Sequence, residues 1–395
     1  MTSIPTTSRR SVLKALAAGG IACAAPGLSL AAGTGDARFV LIVLRGALDG
    51  LALVPPVGDP NYARIREALA FGVAGNDALK LDGDFGLNPA MSQVHAMYQK
   101  REALMLHAVA SPYRARSHFD GQDILESGAA GNLAERDGWL NRALALSTRS
   151  PSTMALAHTV PMVLRGEAAV GSWAPSRLPD ASDDTLRRLS SLYENDPFFA
   201  EQLAEAMSAQ AIAERAGGMD APRKGNAFQD TMVKAAAFLS SPDGARIAVT
   251  DADGWDTHAN QGLETGTLAN RLRALDTGLG ALRDGLGPRW KNTVVAVVTE
   301  FGRTVRPNGT RGTDHGTGAA ALLLGGAVNG GRVVADWPGL RDGDLYQGRD
   351  LAPTRDLRSV FKSVLVAHMG MDATGIQAQV FPNSRDARVE TDWFV

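Results

Sequence analysis

Short, uninterrupted apolar runs recur along the chain, and polar loops rich in metal-ligand residue types follow several of them. The clearest runs are Arg38 to Leu44 (RFVLIVL), Ala103 to Ala108 (ALMLHA), Arg246 to Thr250 (RIAVT), Val294 to Val298 and Ala319 to Leu324. Aliphatic and β-branched residues without alternation mark strands buried on both faces, as in a parallel sheet covered by helices. Arg332-Val333-Val334 reads as a further strand, and Met154 to Ala157 and Met162 to Leu164 as short ones. Helical stretches lie between them. Leu263 to Leu286 carries an apolar stripe at Leu268, Leu272, Leu275, Leu279 and Leu282, so it should pack on the sheet. Tyr62 to Phe71, Ala90 to Lys100, a stretch opening at Asp137-Gly138, and Thr354 to His368 also read as helices. Leu186 to Leu239 is largely helical, with a break near Gly217-Gly218.

The first 32 residues change the picture of the rest. Ser8-Arg9-Arg10-Ser11-Val12-Leu13-Lys14 precedes a weakly hydrophobic Ala/Gly-rich segment, and Ala31-Ala32 is a plausible cleavage point. Paired arginines and low hydrophobicity favour a twin-arginine export signal, which implies a periplasmic or secreted protein and the twin-arginine machinery as a partner. No other run is long and apolar enough to span a membrane, so no stable span is expected after processing. The mature chain is then residues 33–395, read as one α/β domain with a helical insertion around 170–240.

Charge and cysteine content exclude some chemistry. Residues 1–32 hold three basic and no acidic residues; the other 37 basic residues face 42 acidic ones, a net of about −5 with His neutral. That argues against nucleic acid as a partner, because no cationic field exists to bind it. The single cysteine, Cys23, lies in the signal segment. A mature chain without cysteine has no disulfide, thiolate site or cysteine nucleophile, so any metal must be held by His, carboxylates, hydroxyls or water.

The candidate chemistry collects after strands. Asp49 follows the first. Ser117, after the second, stands at a helix start, where free N–H groups favour an anion. From the residues alone, Ser117 with Asp120 three positions on is better read as a helix cap. Asp251-Ala252-Asp253-Gly254-Trp255-Asp256-Thr257-His258 is the densest cluster of metal-ligand types, and Asp256 and His258 can turn onto one ion. Thr299-Glu300-Phe301-Gly302-Arg303-Thr304 and Asp314-His315-Gly316 lie between the runs Val294 to Val298 and Ala319 to Leu324.

With these motifs the chain resembles the exported family called domain of unknown function 1501. The residues that carry the resemblance are Leu44 to Gly50 (LRGALDG), Arg116 to Phe119 (RSHF), Gly254 to His258 (GWDTH), Thr299 to Thr304 (TEFGRT) and Asp314-His315-Gly316. That family looks like a branch of the alkaline phosphatase and sulfatase superfamily. The resemblance implies a three-layer α/β/α sandwich with a mostly parallel central sheet. It also implies Ser117 as nucleophile and Asp49, Asp256, His258, Glu300, Asp314 and His315 as ligands of one or two divalent ions. Zinc, manganese, calcium and magnesium are not distinguished. Phe301 stands where the superfamily has a histidine ligand and Glu300 where it has Asp. Phe binds no metal, so Asp314 or Asp49 fills the gap, or one ion binds, or the site is not catalytic.

The implied activity is displacement on a phosphate or sulfate ester of a small molecule or polymer, with Arg45, Arg116 or Arg303 clamping the ester oxygens. The alternative is a non-catalytic envelope or glycan-binding module on the same fold. A nucleotide-dependent oxidoreductase, suggested by Gly325-Gly326 and Gly330-Gly331, is disfavoured. The spacing is not G-x-G-x-x-G, and a strand rather than a helix follows.

Overall fold

The computed structural model describes residues 36–395, apart from 74, 76, 132–134, 148–150, 176–180, 216–226 and 243. The twin-arginine segment, Cys23 and the Gly217-Gly218 break lie outside the described residues. The apolar runs form one central sheet: β1 (Arg38–Arg45), β2 (Ala103–Ala110), β3 (Thr153–Leu156), β4 (Gly171–Trp173), β5 (Ile247–Asp253), β6 (Thr293–Thr299), β7 (Ala319–Leu324), β8 (Arg332–Val334) and β9 (Arg355–Asp356). Their order is β8-β2-β7-β6-β1-β5-β3-β4, with β9 also beside β2. All pairings are parallel except the two made by β7, which runs antiparallel to β2 and β6.

The pleat of β1 separates two cores. Val40, Ile42 and Leu44 join one cluster, with Leu268, Leu272, Leu275, Leu279 and Leu282 of the helix Thr267–Leu286. The helices Ala227–Ser240 and Ser92–Gln99 pack on that same side. Phe39, Leu41 and Val43 join the other, with Trp139, Leu140, Phe361, Val364 and Phe381. Alternate side chains point to opposite faces, so a strand apolar at every position must be covered twice. This is a three-layer α/β/α sandwich with a mostly parallel sheet.

Three expectations shift. Met162–Leu164 is a tight helical turn, not a strand: Pro161 opens it and accepts from the Leu164 N–H at 3.0 Å. Tyr62–Arg66 is a helix that breaks at Glu67, whose φ is +50°. The last helix starts at Arg358 rather than Thr354, because Arg355 and Asp356 pair with Val109 and Ala110 as a short strand. Within 170–240 lie β4 and the helices Asp183–Leu192, Pro197–Arg215 and Ala227–Ser240.

His107, fully buried on β2, gives a pH test of this core. Its Nε2 faces the Val54 carbonyl at 2.9 Å, while its Nδ1 accepts from the Ala108 N–H at 2.8 Å. Both bonds suit a neutral ring; a second ring proton would point at an N–H. Burial pushes its pKa from 6.5 down to about 4, against the pull of the Val54 carbonyl. The unfolded chain takes up a proton below about 6.5 and the folded chain does not until about 4. This contribution is therefore complete above 6.5 and declines by ~1.4 kcal/mol per pH unit through that window. Urea unfolding at pH 7 and pH 5 should show a shallower pH dependence in His107→Leu than in the parent. Equal slopes would refute the neutral-ring reading.

Candidate metal centre

Topology brings the polar loops to one edge. Parallel β1, β5 and β6 end together: Arg45 pairs with Asp253 and Leu44 with Thr299. Antiparallel β7 begins where β6 ends, so His315, just before it, arrives at the carboxyl edge as well. The loop after β2 returns there as the helix His118–Ser127. Gly46, with φ +116°, lets β1 turn tightly beneath Asp256: a Cβ would lie 2.7 Å from the Asp256 nitrogen. Open α/β sheets place their sites at such an edge.

Three histidines and one aspartate meet there. Ligand atoms of His118, Asp256 and His315 all lie within 4.8 Å of one another. His258 Nε2 lies 3.0 Å from His315 Nε2 and 3.0 Å from Asp256 Oδ1. His315 Nε2 lies 3.2 Å from that same oxygen, and His118 Nε2 lies 3.5 Å from Asp256 Oδ2. The other nitrogen of each ring is anchored on a separate acceptor. Nδ1 faces Glu300 Oε1 at 2.8 Å in His118, Asp314 Oδ1 at 3.1 Å in His258, and the Arg116 carbonyl at 2.9 Å in His315. An Nδ1 proton given to such an acceptor leaves a lone pair on Nε2, and this is how proteins orient metal-binding imidazoles. Among the described residues, His118 Nε2 is buried without a hydrogen-bond partner. Imidazole lone pairs crowded around one carboxylate in this way repel each other unless a cation or protons intervene. The donor set therefore fits a divalent ion.

The surroundings tune these groups. The hydrogen bond to Glu300 raises the His118 pKa against burial. Burial opposes ionisation of Glu300, yet hydrogen bonds from His118, the Gly46 N–H and Gln122 hold its carboxyl below the usual range. Burial likewise opposes ionisation of Asp256, and the paired Arg303 guanidinium outweighs it. His315 is pushed down by burial, and Asp314 is held down first by its hydrogen bond from Asn308.

Several sequence-based candidates take other roles. Glu300 is fully buried and accepts from His118, Gly46, Gln122 and Thr299, so its carboxylate orients the His118 ring. Asp314 likewise backs His258. Asp49 is spent elsewhere: its carboxylate caps the turn Gly50–Leu53 through the Ala52 N–H and binds Arg66 at 2.6 Å and Gln261 at 2.7 Å. The arginine clamp has no support. Arg45 is bound to Asp251, Gln122 and Glu126, Arg116 to Asp350 and Gln347, and Arg303 to Asp256 and Thr313. What Arg116 supplies is its carbonyl, from a backbone at φ +65°. Ser117 occupies the cap position of its helix, but its side chain makes no capping bond, so the plain-cap reading fails.

His118 was not among the sequence-based ligands. It stood in the RSHF motif beside Ser117, and the signal was its place at the first turn of a helix following a buried strand. Phe301 is its platform: the rings stack at 5.1 Å and 25°. Gly121 makes room, since a Cβ there would lie 2.9 Å from the Phe301 ring.

Similar solved structures include a sulfatase, PsFucS1, from Pseudoalteromonas sp. (12% identity, 91% of this chain, 75% of that one, TM-score 0.39). Others are a phosphonate monoester hydrolase of Agrobacterium radiobacter (11%, 85% and 74%, 0.34) and the C-terminal periplasmic domain of EcEptC from Escherichia coli (10%, 89% and 88%, 0.34). No curated protein matches the chain. No helix among the described residues is long and apolar enough to cross a membrane. The family model described as "Protein of unknown function (DUF1501)" matches residues 36–380, and the chain belongs to that family.

Proposed function

We propose that this chain is an exported metal-binding protein whose centre hydrolyses a phosphate or sulfate ester. The carrying observation is that the His118, His258 and His315 Nε2 atoms all lie within 3.5 Å of Asp256 oxygens, with every Nδ1 anchored. Imidazole-rich donors favour a transition ion such as zinc over calcium or magnesium. One ion is the better count, because Asp49, Glu300 and Asp314 are engaged behind or away from the centre.

Ser117 is the nucleophile in this reading. Its hydroxyl makes no capping bond, it adjoins His118, and it opens a ten-residue helix whose N-terminus favours an anion. The Ser117 hydroxyl displaces the alcohol from phosphorus or sulfur, and water then releases phosphate or sulfate and restores the serine. A bound divalent ion would supply Lewis-acid polarisation of the ester oxygens. Phe301 and the three engaged arginines favour a second reading, a metal-holding module that binds a glycan or envelope polymer without turnover. The Ser8–Lys14 segment supports twin-arginine export in both.

Elemental analysis of protein folded with zinc, followed by phosphate, sulfate and phosphonate ester assays with and without chelator, separates the readings. Hydrolysis predicts one tightly held ion and chelator-sensitive turnover that Ser117→Ala abolishes. A held ion without turnover supports the module. Absence of any held ion sinks both.

A further inference from the structure

We infer that Asn308 is the positioning residue for His258, and that its carboxamide sets how firmly the centre holds its ion. This rests on the metal-binding reading. His258 lies in an exposed loop, so a neighbouring segment must fix its ring. The loop 308–314 does so. It lies directly on His258: a Cβ on the buried Gly312 would stand 2.3 Å from the His258 carbonyl carbon. Main-chain bonds join the two loops at Asn260 N–H to Thr310 O (3.0 Å), Gln261 N–H to Arg311 O (3.0 Å) and Thr313 N–H to Thr257 O (3.1 Å).

The Asn308 side chain closes this clasp. Its Nδ2 donates to the His258 carbonyl at 2.9 Å and to Asp314 Oδ1 at 3.0 Å. That Asp314 oxygen is the one facing His258 Nδ1 at 3.1 Å. One amide group therefore fixes the backbone of His258 directly and its ring through Asp314. The Asn308 Oδ1 accepts from the Thr310 and Gly312 N–H groups, both at 3.0 Å, which leaves the amide one orientation. Thr310 Oγ1 also reaches the His258 carbonyl, at 2.7 Å, so the leg through Asp314 is the one for which Asn308 has no substitute.

Asn308→Asp isolates that leg. The shape and the Oδ1 acceptor survive, but a carboxylate oxygen now faces the His258 carbonyl and the Asp314 carboxylate. Asp314 is repelled from His258 Nδ1, and the ring loses its tautomer and aim. Outer-shell partners of this kind are worth ~10–100-fold in metal affinity, and that loss is expected for zinc. The cobalt-substituted variant should show an altered visible absorption spectrum relative to cobalt-substituted parent. In an Asp314→Ala background the leg through Asp314 is already gone, so adding Asn308→Asp there should cost little further, with His258 O held by Thr310.

Zinc titration calorimetry and cobalt spectra on the parent, Asn308→Asp, Asp314→Ala and their double variant test this, with circular dichroism as the fold control. Parent-like affinity and spectrum in Asn308→Asp overturn the inference. So does a loss on adding Asn308→Asp that is as large in the Asp314→Ala background as in the parent. If Asn308→Asp is unfolded, Asp314→Ala removes the same leg from the surface and must show the loss instead, or the inference falls. A parent that binds neither ion defeats the metal reading itself, and a parent that binds with an indifferent Asn308 defeats only this inference.

Discussion

Asp256→Asn should empty the centre. Asp256 is the one group within reach of all three imidazoles, with Oδ1 toward His258 and His315 and Oδ2 toward His118. Outer-shell changes cost ~10–100-fold in metal affinity, so losing the sole anionic ligand should cost more than ~100-fold. The asparagine retains an oxygen for Arg303, whose fully buried guanidinium would otherwise be left with only Thr313. The fold should therefore survive, and the loss can be read as a site effect. Zinc calorimetry and elemental analysis check it. Parent-like affinity and metal content in folded Asp256→Asn would remove Asp256 from the centre and with it the proposed ligand set.

Much of this arrangement was legible in the sequence, but by class of residue and not by role. Runs such as Val294 to Val298 announce a strand because nothing in them tolerates water on either face. The stripe on Thr267–Leu286 announces a helix that must pack. The loops after those strands gather metal-ligand residue types in the sequence, and His258, Asp256 and His315 from them come together in the fold. The orientation of β7 was not legible, because Ala319 to Leu324 is equally apolar in both directions. That orientation is what delivers His315 to the same edge as Asp256. Roles stay open in the sequence where they depend on a partner far along the chain. Glu300 in isolation is a ligand type, and the arrival of His118, 182 residues away, gives it an orienting hydrogen bond. Arg116 in isolation is a clamp or half of a structural pair, and Asp350 supplies the pair. Phe301, which weighs against catalysis in the sequence, stacks on His118 in the fold.

Asp49→Ala should be the most destabilising of the carboxylate substitutions named, and it should act through the fold. Asp49 and Arg66 are both buried and paired at 2.6 Å. Removing one member leaves a buried charge uncompensated, at a cost of ~3–5 kcal/mol. Arg66 keeps only the Thr304 and Val305 carbonyls, at 3.3 and 3.2 Å, and neither neutralises it. The same substitution strips the cap from Gly50–Leu53 and releases Gln261, which accepts from both Thr257 and Thr313. Thr313 in turn accepts from Arg303, so the pair underpins the loops that carry Asp256 and His258 from outside the candidate centre. Urea denaturation should show the loss in Asp49→Ala, and the double change Asp49→Leu with Arg66→Met should recover much of it, since apolar replacements of a buried pair are often neutral. Folded Asp49→Asn should keep the parent's metal stoichiometry. A stoichiometry that falls in Asp49→Asn while stability holds would return Asp49 to the ligand set and make the centre larger than the three histidines and Asp256.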